Sequence, residues 1–396
     1  MHVLESYALQ NGLKIDTPSI YEKFFPLAVE RFITIDTSTL GTGALEYSHW
    51  HLVINLIAPK LAEEGISIIQ LGDKENVPLQ NCYIALGQCN FNQKAYVIKK
   101  SLVHICPNNE SMHIASSFGK KCVALFSNNS FPSQFHPYWS EEEDVKIVSP
   151  PITKKPSFNP NESPRSIKCI KPEDVAEKIL SFLNLPASHI EFQTLKIGDA
   201  FNNKRIESTL SHLLDCEKLG ISSLIVRMDL NFNEKALESQ LQHSPCSIIT
   251  NKPLSNAIIE NYANRIVELV FYIQDDNEEG VKFIQKVKEK SINFLLRSRN
   301  TGWSLDDCKL AYFDYGLVHP VKRRSQDDYP ELKGEKNLYY KSNHFIIHNN
   351  NFYPSSLAVV QNIHSSPSMD HEPYPVVDDP LFWEDVAHFH FLKKKS

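Results

Sequence analysis

Asn108, Asn109, Ser111 and His113 fall within six positions, between the apolar runs Leu102–Cys106 and Cys122–Phe126. Amide, hydroxyl and imidazole groups in that order suit the binding of an anion or a ribose. A polar loop between the carboxyl end of a strand and the amino end of a helix is where parallel sheets hold such ligands. The unpaired N–H groups of the helix's first turn face that spot, and the helix dipole adds about half a positive charge. His113 is read as a donor to a phosphate or ribose, with satisfaction inside its own helix as the plainer reading. Asn108 and Asn109 are read as ligand contacts, or as turn residues tolerant of left-handed backbone. Thr37, Ser38 and Thr39, followed by Gly41 and Gly43, form a second hydroxyl- and glycine-rich loop. Such a loop brings backbone N–H groups close to phosphate, although Gly-x-Gly alone is equally a flexible connection.

A second set of charges recurs at the ends of apolar runs. Arg227 and Asp229 follow Leu224–Val226, Lys252 follows Ile248 and Ile249, Asp275 and Asp276 follow Phe271–Ile273, and Arg297 and Arg299 follow Phe294–Leu296. In a parallel sheet these ends share one edge, the edge where ligands bind. Arg227, Lys252, Arg297 and Arg299 are expected to converge in one cleft facing the first domain and to clamp a phosphate or carboxylate. Asp229 is the candidate general base, provided it stands away from the Arg227 guanidinium. Strand ends are exposed and often charged in any case. The late histidines 344, 348, 364, 371, 388 and 390 lack convincing metal-site spacing, so no metal site is expected. The run Lys322–Arg324 reads as exposed surface.

These residues need elements to hold them. The run from Leu102 to Phe126 reads as strand, turn, helix and strand, with Gly119 ending the helix. Upstream, Arg31–Asp36 and Ile66–Leu71 are strand-like, and Trp50–Glu64 has helical spacing through 52, 53, 56, 57 and 61. Cys82–Ala85 and Val145–Val148 add short strands, and Lys171–Leu183 is a helix with Pro and acids in its first turn. Five prolines make 149–164 an irregular loop. Further strand-like runs, Ser223–Met228, Cys246–Thr250, Ile266–Ile273 and Ile292–Leu296, alternate with helical stretches near 233–242, 254–263 and 278–290, and Lys309–Tyr315 is a further candidate strand. This alternation predicts α/β architecture with parallel sheets. The division expected is 1–187, 190–320 and an irregular, aromatic-rich tail, 321–396, packed on the body.

The 396 residues suffice for two to three domains. With 42% hydrophobic and 22% charged residues the class is globular, and a net charge of −6 argues against broad nucleic-acid binding. No apolar run approaches the roughly 20 residues that span a bilayer, and the first residues do not read as a signal peptide. Eight scattered cysteines without a Cys-x-x-Cys pair suit a reducing cytoplasm.

Residues 30–185 carry a set of marks: a strand leading to a Trp-headed helix (Phe32–Trp50), Gly72 after the next strand, a short loop with Gly87, and the block Ser111–Phe126. Together they resemble the nucleotide-sugar-binding half of the ADP-heptose:lipopolysaccharide heptosyltransferase family, the ninth glycosyltransferase family. That family opens the last block with Asp-Ser/Thr-Gly-x-x-His; here Asn108, Asn109 and Glu110 stand in the first three places and His113 is kept. Ser48 stands where the family usually has a lysine. The resemblance implies a GT-B-like protein of two Rossmann-like domains that binds a nucleotide-diphosphate sugar and transfers the sugar to a hydroxyl acceptor, with no further cofactor. It implies ligand contacts at Thr37, Ser38, Thr39, Gly72, Gly87, Asn108, Asn109, Ser111 and His113. It also places the start of this chain near the end of the family's base-carrying domain. The alternative is a non-catalytic nucleotide- or partner-binding protein derived from such an enzyme.

Overall fold

A computed structural model describes residues 1–39, 41–151, 156–221 and 223–395. Residues 152–155 of the expected 149–164 loop lie outside them. The chain forms two compact units, Met1–Gln193 and Thr194–Ser396.

The first unit contains α1 (Val3–Asn11), β1 (Phe32–Asp36), α2 (Trp50–Glu63), β2 (Ser67–Leu71), β3 (Tyr83–Ile84), α3 (Phe91–Lys100), β4 (His104–Pro107), α4 (Glu110–Ser117), β5 (Cys122–Leu125), α5 (Pro132–Phe135), β6 (Val145–Val148) and α6 (Pro172–Phe182). All six strands are parallel, in the order β3-β2-β1-β4-β5-β6. The expected parallel pairing of the two central apolar runs is seen, His104 lying beside Cys122 and Pro107 beside Leu125. Side-chain alternation splits β1. Ile33 and Ile35 pack with Val53 and Ile57 of α2 and Ile179 of α6. Phe32 packs on the other face with Ile98 of α3 and Ile114 of α4. Helices thus cover both faces, which is why the strands read as near-continuous apolar runs.

The second unit contains β7 (Phe192–Ile197), which leads into it, then β8 (Arg205–Ser208), α7 (Cys216–Leu219), β9 (Leu224–Arg227), α8 (Glu234–His243), β10 (Cys246–Thr250), α9 (Asn256–Tyr262), β11 (Ile266–Ile273), α10 (Glu278–Glu289), β12 (Phe294–Ser298), α11 (Trp303–Ala311) and β13 (Val318–Pro320). The last part supplies β14 (Leu338–Ser342), β15 (His344–His348), β16 (Asn351–Tyr353), α12 (Ser356–Gln361), β17 (Tyr374–Pro375), α13 (Pro380–Glu384) and β18 (Phe389–Lys394). One sheet runs β13-β12-β11-β10-β9-β8-β15-β16, parallel except for β16. From β8 to β13 the order is sequential, without the reversal that the first sheet has between β1 and β4.

Two expectations change. Lys309–Tyr315 is not a strand: α11 runs through Ala311, with Cys308 and Tyr312 one helical turn apart and both buried against Phe271 and Phe283. The segment 321–396 is aromatic-rich and packs on the body as expected, but it is regular and not irregular. Its β15 pairs in parallel with β8, Phe345 beside Ile206. The rest forms a second sheet, β17-β14-β18-β7, whose core is the aromatic cluster of Tyr340, Phe382, Trp383, Phe389 and Phe391. Trp383 is fully buried and stacks on Phe391 at 5.6 Å and on Tyr329 at 5.7 Å. Replacing it by alanine is expected to lower the unfolding free energy of the second unit by roughly 3–5 kcal/mol. Urea titration followed by circular dichroism measures this, and an unshifted midpoint would mean that the aromatic cluster is not part of the cooperative core.

Candidate functional site

In the first unit the chain steps from β1 out to β2 and β3, then returns to β4 on the opposite side of β1. The carboxyl ends of β1 and β4 therefore border a topological switch point, the place where open parallel sheets bind ligands. The loops carrying Thr37–Thr39 and Asn108–His113 both start there.

A continuous chain of buried polar contacts links them. Thr34 Oγ1 lies 2.9 Å from His104 Nδ1, and His104 Nε2 lies 2.9 Å from Ser111 Oγ. The Ser111 hydroxyl donates to Asn109 Oδ1 at 2.7 Å, which leaves its oxygen to accept from His104 Nε2–H. Asn109 caps α4 by accepting from the Ser111 N–H, and donates to the Ser38 carbonyl at 3.0 Å. Ser38 donates to the buried Asp36 from both its backbone and its hydroxyl. Lys94 of α3 stands 3.2 Å from Asp36 and 3.2 Å from Glu110. Burial pushes the Asp36 carboxyl up, but the Lys94 ammonium and the Ser38 hydrogen bonds outweigh it and hold Asp36 below its usual value.

The sequence-derived residues divide accordingly. Ser38, Asn109 and Ser111 are buried and occupied with one another. Thr39 and Asn108 are half-buried beside them, Asn108 donating to Ser130 Oγ at 3.2 Å. Thr37 accepts from Gln70 at 3.2 Å. Gly72 has φ +146°, and a Cβ there would stand 2.9 Å from Thr37 Oγ1 and 2.4 Å from Asn76 Oδ1, so it shapes the loop after β2. Gly87 packs in the same way against Lys74. His113 lies on α4 near His2 and His136, and burial, together with those two imidazoles, lowers its pKa. His2 in turn sits 4.7 Å from the His136 ring.

The second unit gathers charge on the sheet face opposite α8–α11. Arg227, at the end of β9, reaches Glu207 of β8 at 2.6 Å and grips Asp229 with two hydrogen bonds of 2.7 and 2.9 Å. It also donates to Ser356 Oγ at 3.1 Å. His344, at the start of β15, makes ion-pair contacts to Glu207 at 3.1 Å and to Asp385 at 3.4 Å. Asp385 accepts from the Ser356 N–H at 2.8 Å. Arg205 adds a third cation on Glu207 at 2.7 Å. Burial alone would lower the His344 pKa, but Glu207 and Asp385 raise it to about 9. Burial and the charged His344 beside it lower His388 to about 4.

Asp229 therefore does not fit the role of general base. Both its oxygens accept from Arg227, so neither is left unengaged for an acceptor hydroxyl. The expected positive cleft is also largely neutralised. Arg227 serves two carboxylates, and Arg299 is held bidentately by Glu384 at 2.8 and 2.9 Å. Arg299 and Arg297 flank Tyr272, their guanidinium carbons 4.2 and 5.8 Å from its ring centre. Lys252 stands apart, over the Phe232 ring at 5.7 Å. Sequence reasoning missed Asp36, Lys94, His104, Glu207, Tyr272 and Asp385, and His344 drew notice only as one of the late histidines. The one signal for Glu207 was a charge inside a short run, Arg205–Ser208, too polar to read as a strand. Among the described residues no group of three His, Cys, Asp or Glu is arranged to hold a metal ion. No described helix is long and apolar enough to cross a membrane.

Partial structural likenesses lie within the glycosyltransferases. Escherichia coli ADP-heptose LPS heptosyltransferase II is 20% identical, with a TM-score of 0.31, over 46% of this chain and 51% of that one. A family 9 glycosyl transferase from Veillonella parvula is 14% identical, TM-score 0.34, over 46% and 50%. The iron-containing dodecameric glycosyltransferase TibC from enterotoxigenic E. coli is 11% identical, TM-score 0.29, over 42% and 48%. The chain thus spans about half the length of these proteins. No family model and no curated protein matches it.

Two outcomes follow from the buried charges. Arg227→Ala leaves the buried Asp229 without its ion-pair partner and removes one of three cations from Glu207, and is expected to destabilise the protein by roughly 3–5 kcal/mol in urea titration. The second concerns pH. His344 is more basic folded (about 9) than unfolded, so its contribution is full below the ordinary histidine pKa, about 6.5, and is lost as pH rises through about 9. The melting temperature of the native chain is expected to fall across that window, and that of His344→Gln to fall less; parallel curves would contradict this.

Proposed function

We propose that the first unit binds the diphosphate of a nucleotide-activated sugar at the carboxyl ends of β1 and β4, and that the protein transfers the sugar to an acceptor hydroxyl as a glycosyltransferase. The observation that carries this reading is the reversal of strand order between β1 and β4, with the amino end of α4 and the Thr37–Thr39 segment opening onto it. Thr39, Asn108 and the first N–H groups of α4 are the donors for phosphate oxygens, and His113 lies on the same helix. Ser38, Asn109 and Ser111 act as the frame that fixes the two loops. The block ending in His113 directs the choice of ligand to nucleotide-diphosphate sugars. A reducing, cytoplasmic setting suits the eight cysteines, all of them free.

Transfer further requires a group to take the acceptor's proton and positive charge to steady the leaving diphosphate. Two observations favour a second reading, a nucleotide-binding protein without transfer. Asp229 is locked on Arg227, and Lys94 is shared by Asp36 and Glu110.

Calorimetric titration against nucleoside diphosphates and their sugars tests the binding. His113→Ala is expected to weaken it by roughly 1–3 kcal/mol, the loss of one hydrogen bond to a charged group. Unchanged affinity in the folded variant would remove His113 from the site. Following release of the free nucleoside diphosphate from a bound donor separates the two readings: turnover supports transfer or hydrolysis, and intact donor supports binding alone.

A further inference from the structure

A cavity of about 560 Å³ in the second unit is lined by four basic side chains, Lys196, Lys322, Arg323 and Arg324, against two carboxylates, Asp199 and Asp328. Lys322 comes two residues after β13, whose neighbour β12 runs parallel to it with Ser298 beside Pro320. The basic run thus leaves the carboxyl edge of the parallel sheet, the edge that presents ligand sites in such sheets. The cavity's size lies within the range of small-molecule sites.

The charges in this lining are unevenly spent. Asp328 accepts from the Ser325 N–H at 2.7 Å and so serves its own turn. Lys196 has Glu331 at 3.8 Å. Arg324 donates to the Tyr329 hydroxyl at 3.2 Å, which fixes its side chain without neutralising it. Among the described residues, Lys322, Arg323 and Arg324 have no carboxylate within ion-pair distance. Three exposed cations without counter-ions, in sequence and around one hollow, give it a local positive potential that favours an anion. Gly198, Val386 and Ala387 also line the space. The chain at Gly198 passes so close to Ala387 that a Cβ there would stand 2.3 Å from the Ala387 carbonyl oxygen, and hydrogen bonds of 2.8 Å from Gly198 to Phe389 and from Ala200 to Ala387 hold it there. No side chain of residue 198 intrudes on the space.

We propose that this cavity binds the phosphate group of a small phosphorylated ligand of about sugar-phosphate size, with Lys322, Arg323 and Arg324 as its donors. A guanidinium fork matches two phosphate oxygens, and a lysine adds a point charge. A phosphate dianion, more than a single carboxylate, answers the surplus of positive charge. This site is independent of the nucleotide reading for the first unit.

Calorimetric titration of the full chain with glucose 1-phosphate and, separately, with inorganic phosphate tests it. The sugar phosphate is expected to bind one to one and more tightly than inorganic phosphate. Arg323→Glu is expected to weaken binding by at least roughly tenfold, the scale of one charge-assisted hydrogen bond, with an unchanged melting temperature. Asn108→Asp, in the first unit, is expected to leave this binding intact. Equal affinity in the Arg323→Glu variant, or no heat from either probe at millimolar concentration, would overturn the site. Inorganic phosphate binding as tightly as the ester would overturn the assignment of an organic phosphate. Preferential binding of single-stranded RNA through the same residues would overturn the small-molecule reading.

Discussion

Burying the Arg227 guanidinium is the constraint on which the second unit depends. A charge at that depth is tolerated only when its donors are filled by acceptors that are themselves held in place. Glu207 supplies one side from β8, Asp229 the other from the turn after β9, and Ser356 the third from the start of α12. Glu207 then also needs neutralising, and His344 does so from β15. Asp385, after α13, balances His344. Each partner comes from a different element, so the network ties the last segment of the chain into the sheet. Apolar packing of Phe382, Trp383 and Phe389 supplies the bulk attraction, and the ion network fixes which strand lies beside β8. It also explains why Asp229 serves structure: its oxygens are already committed where a base would need one of them open.

The first unit solves a different problem, mostly with uncharged groups, anchored at one end by the Asp36–Lys94 pair. Its switch point leaves the ends of β1 and β4 side by side, and their loops must be fixed relative to each other. The chain from Thr34 through His104, Ser111 and Asn109 to Ser38 does this with hydrogen bonds of fixed direction, so the two loops share one frame. Because these groups are satisfied internally, a ligand here would use what the frame leaves over: backbone N–H groups of the first turn of α4 and the half-exposed Thr39 and Asn108. The Lys94 charge beside the frame is shared by two carboxylates. Binding at this point would rest on oriented dipoles more than on net charge, with a correspondingly weaker dependence on salt.

Charge at the carboxyl edge of the second sheet is graded along its strands. At β8 and β9 cations and carboxylates cancel within the buried network. At β12 Arg299 is cancelled by Glu384 while Arg297 leans on Tyr272. Beyond β13 the cations Lys322, Arg323 and Arg324 have no such partners among the described residues and border a hollow. The same residue types therefore do different work according to depth: buried, they must pair and become structural; at the rim, water supports them unpaired and they remain available to a ligand.

The sequence by itself determined the parallel architecture, because strands buried on both faces must be apolar throughout and helices must alternate with them. It located the strands of the first unit within one or two residues, the parallel pairing of β4 with β5, and the two loops that meet at the switch point. It also placed Arg227, Asp229, Arg297 and Arg299 at strand ends, since composition changes sharply where a strand leaves the core. Tertiary structure alone decided what those charges do. Asp229 lies two residues from Arg227 in sequence, a spacing that allows either a pair or divergence, and only the burial of both makes pairing obligatory. Glu207, His344 and Asp385 are 41 to 178 positions apart, and no local pattern marks residues whose meeting depends on β15 inserting beside β8. Strand β8 itself escaped reading because the face opposite the helices carries Arg205 and Glu207, and a charged strand is stable only once distant partners have neutralised it.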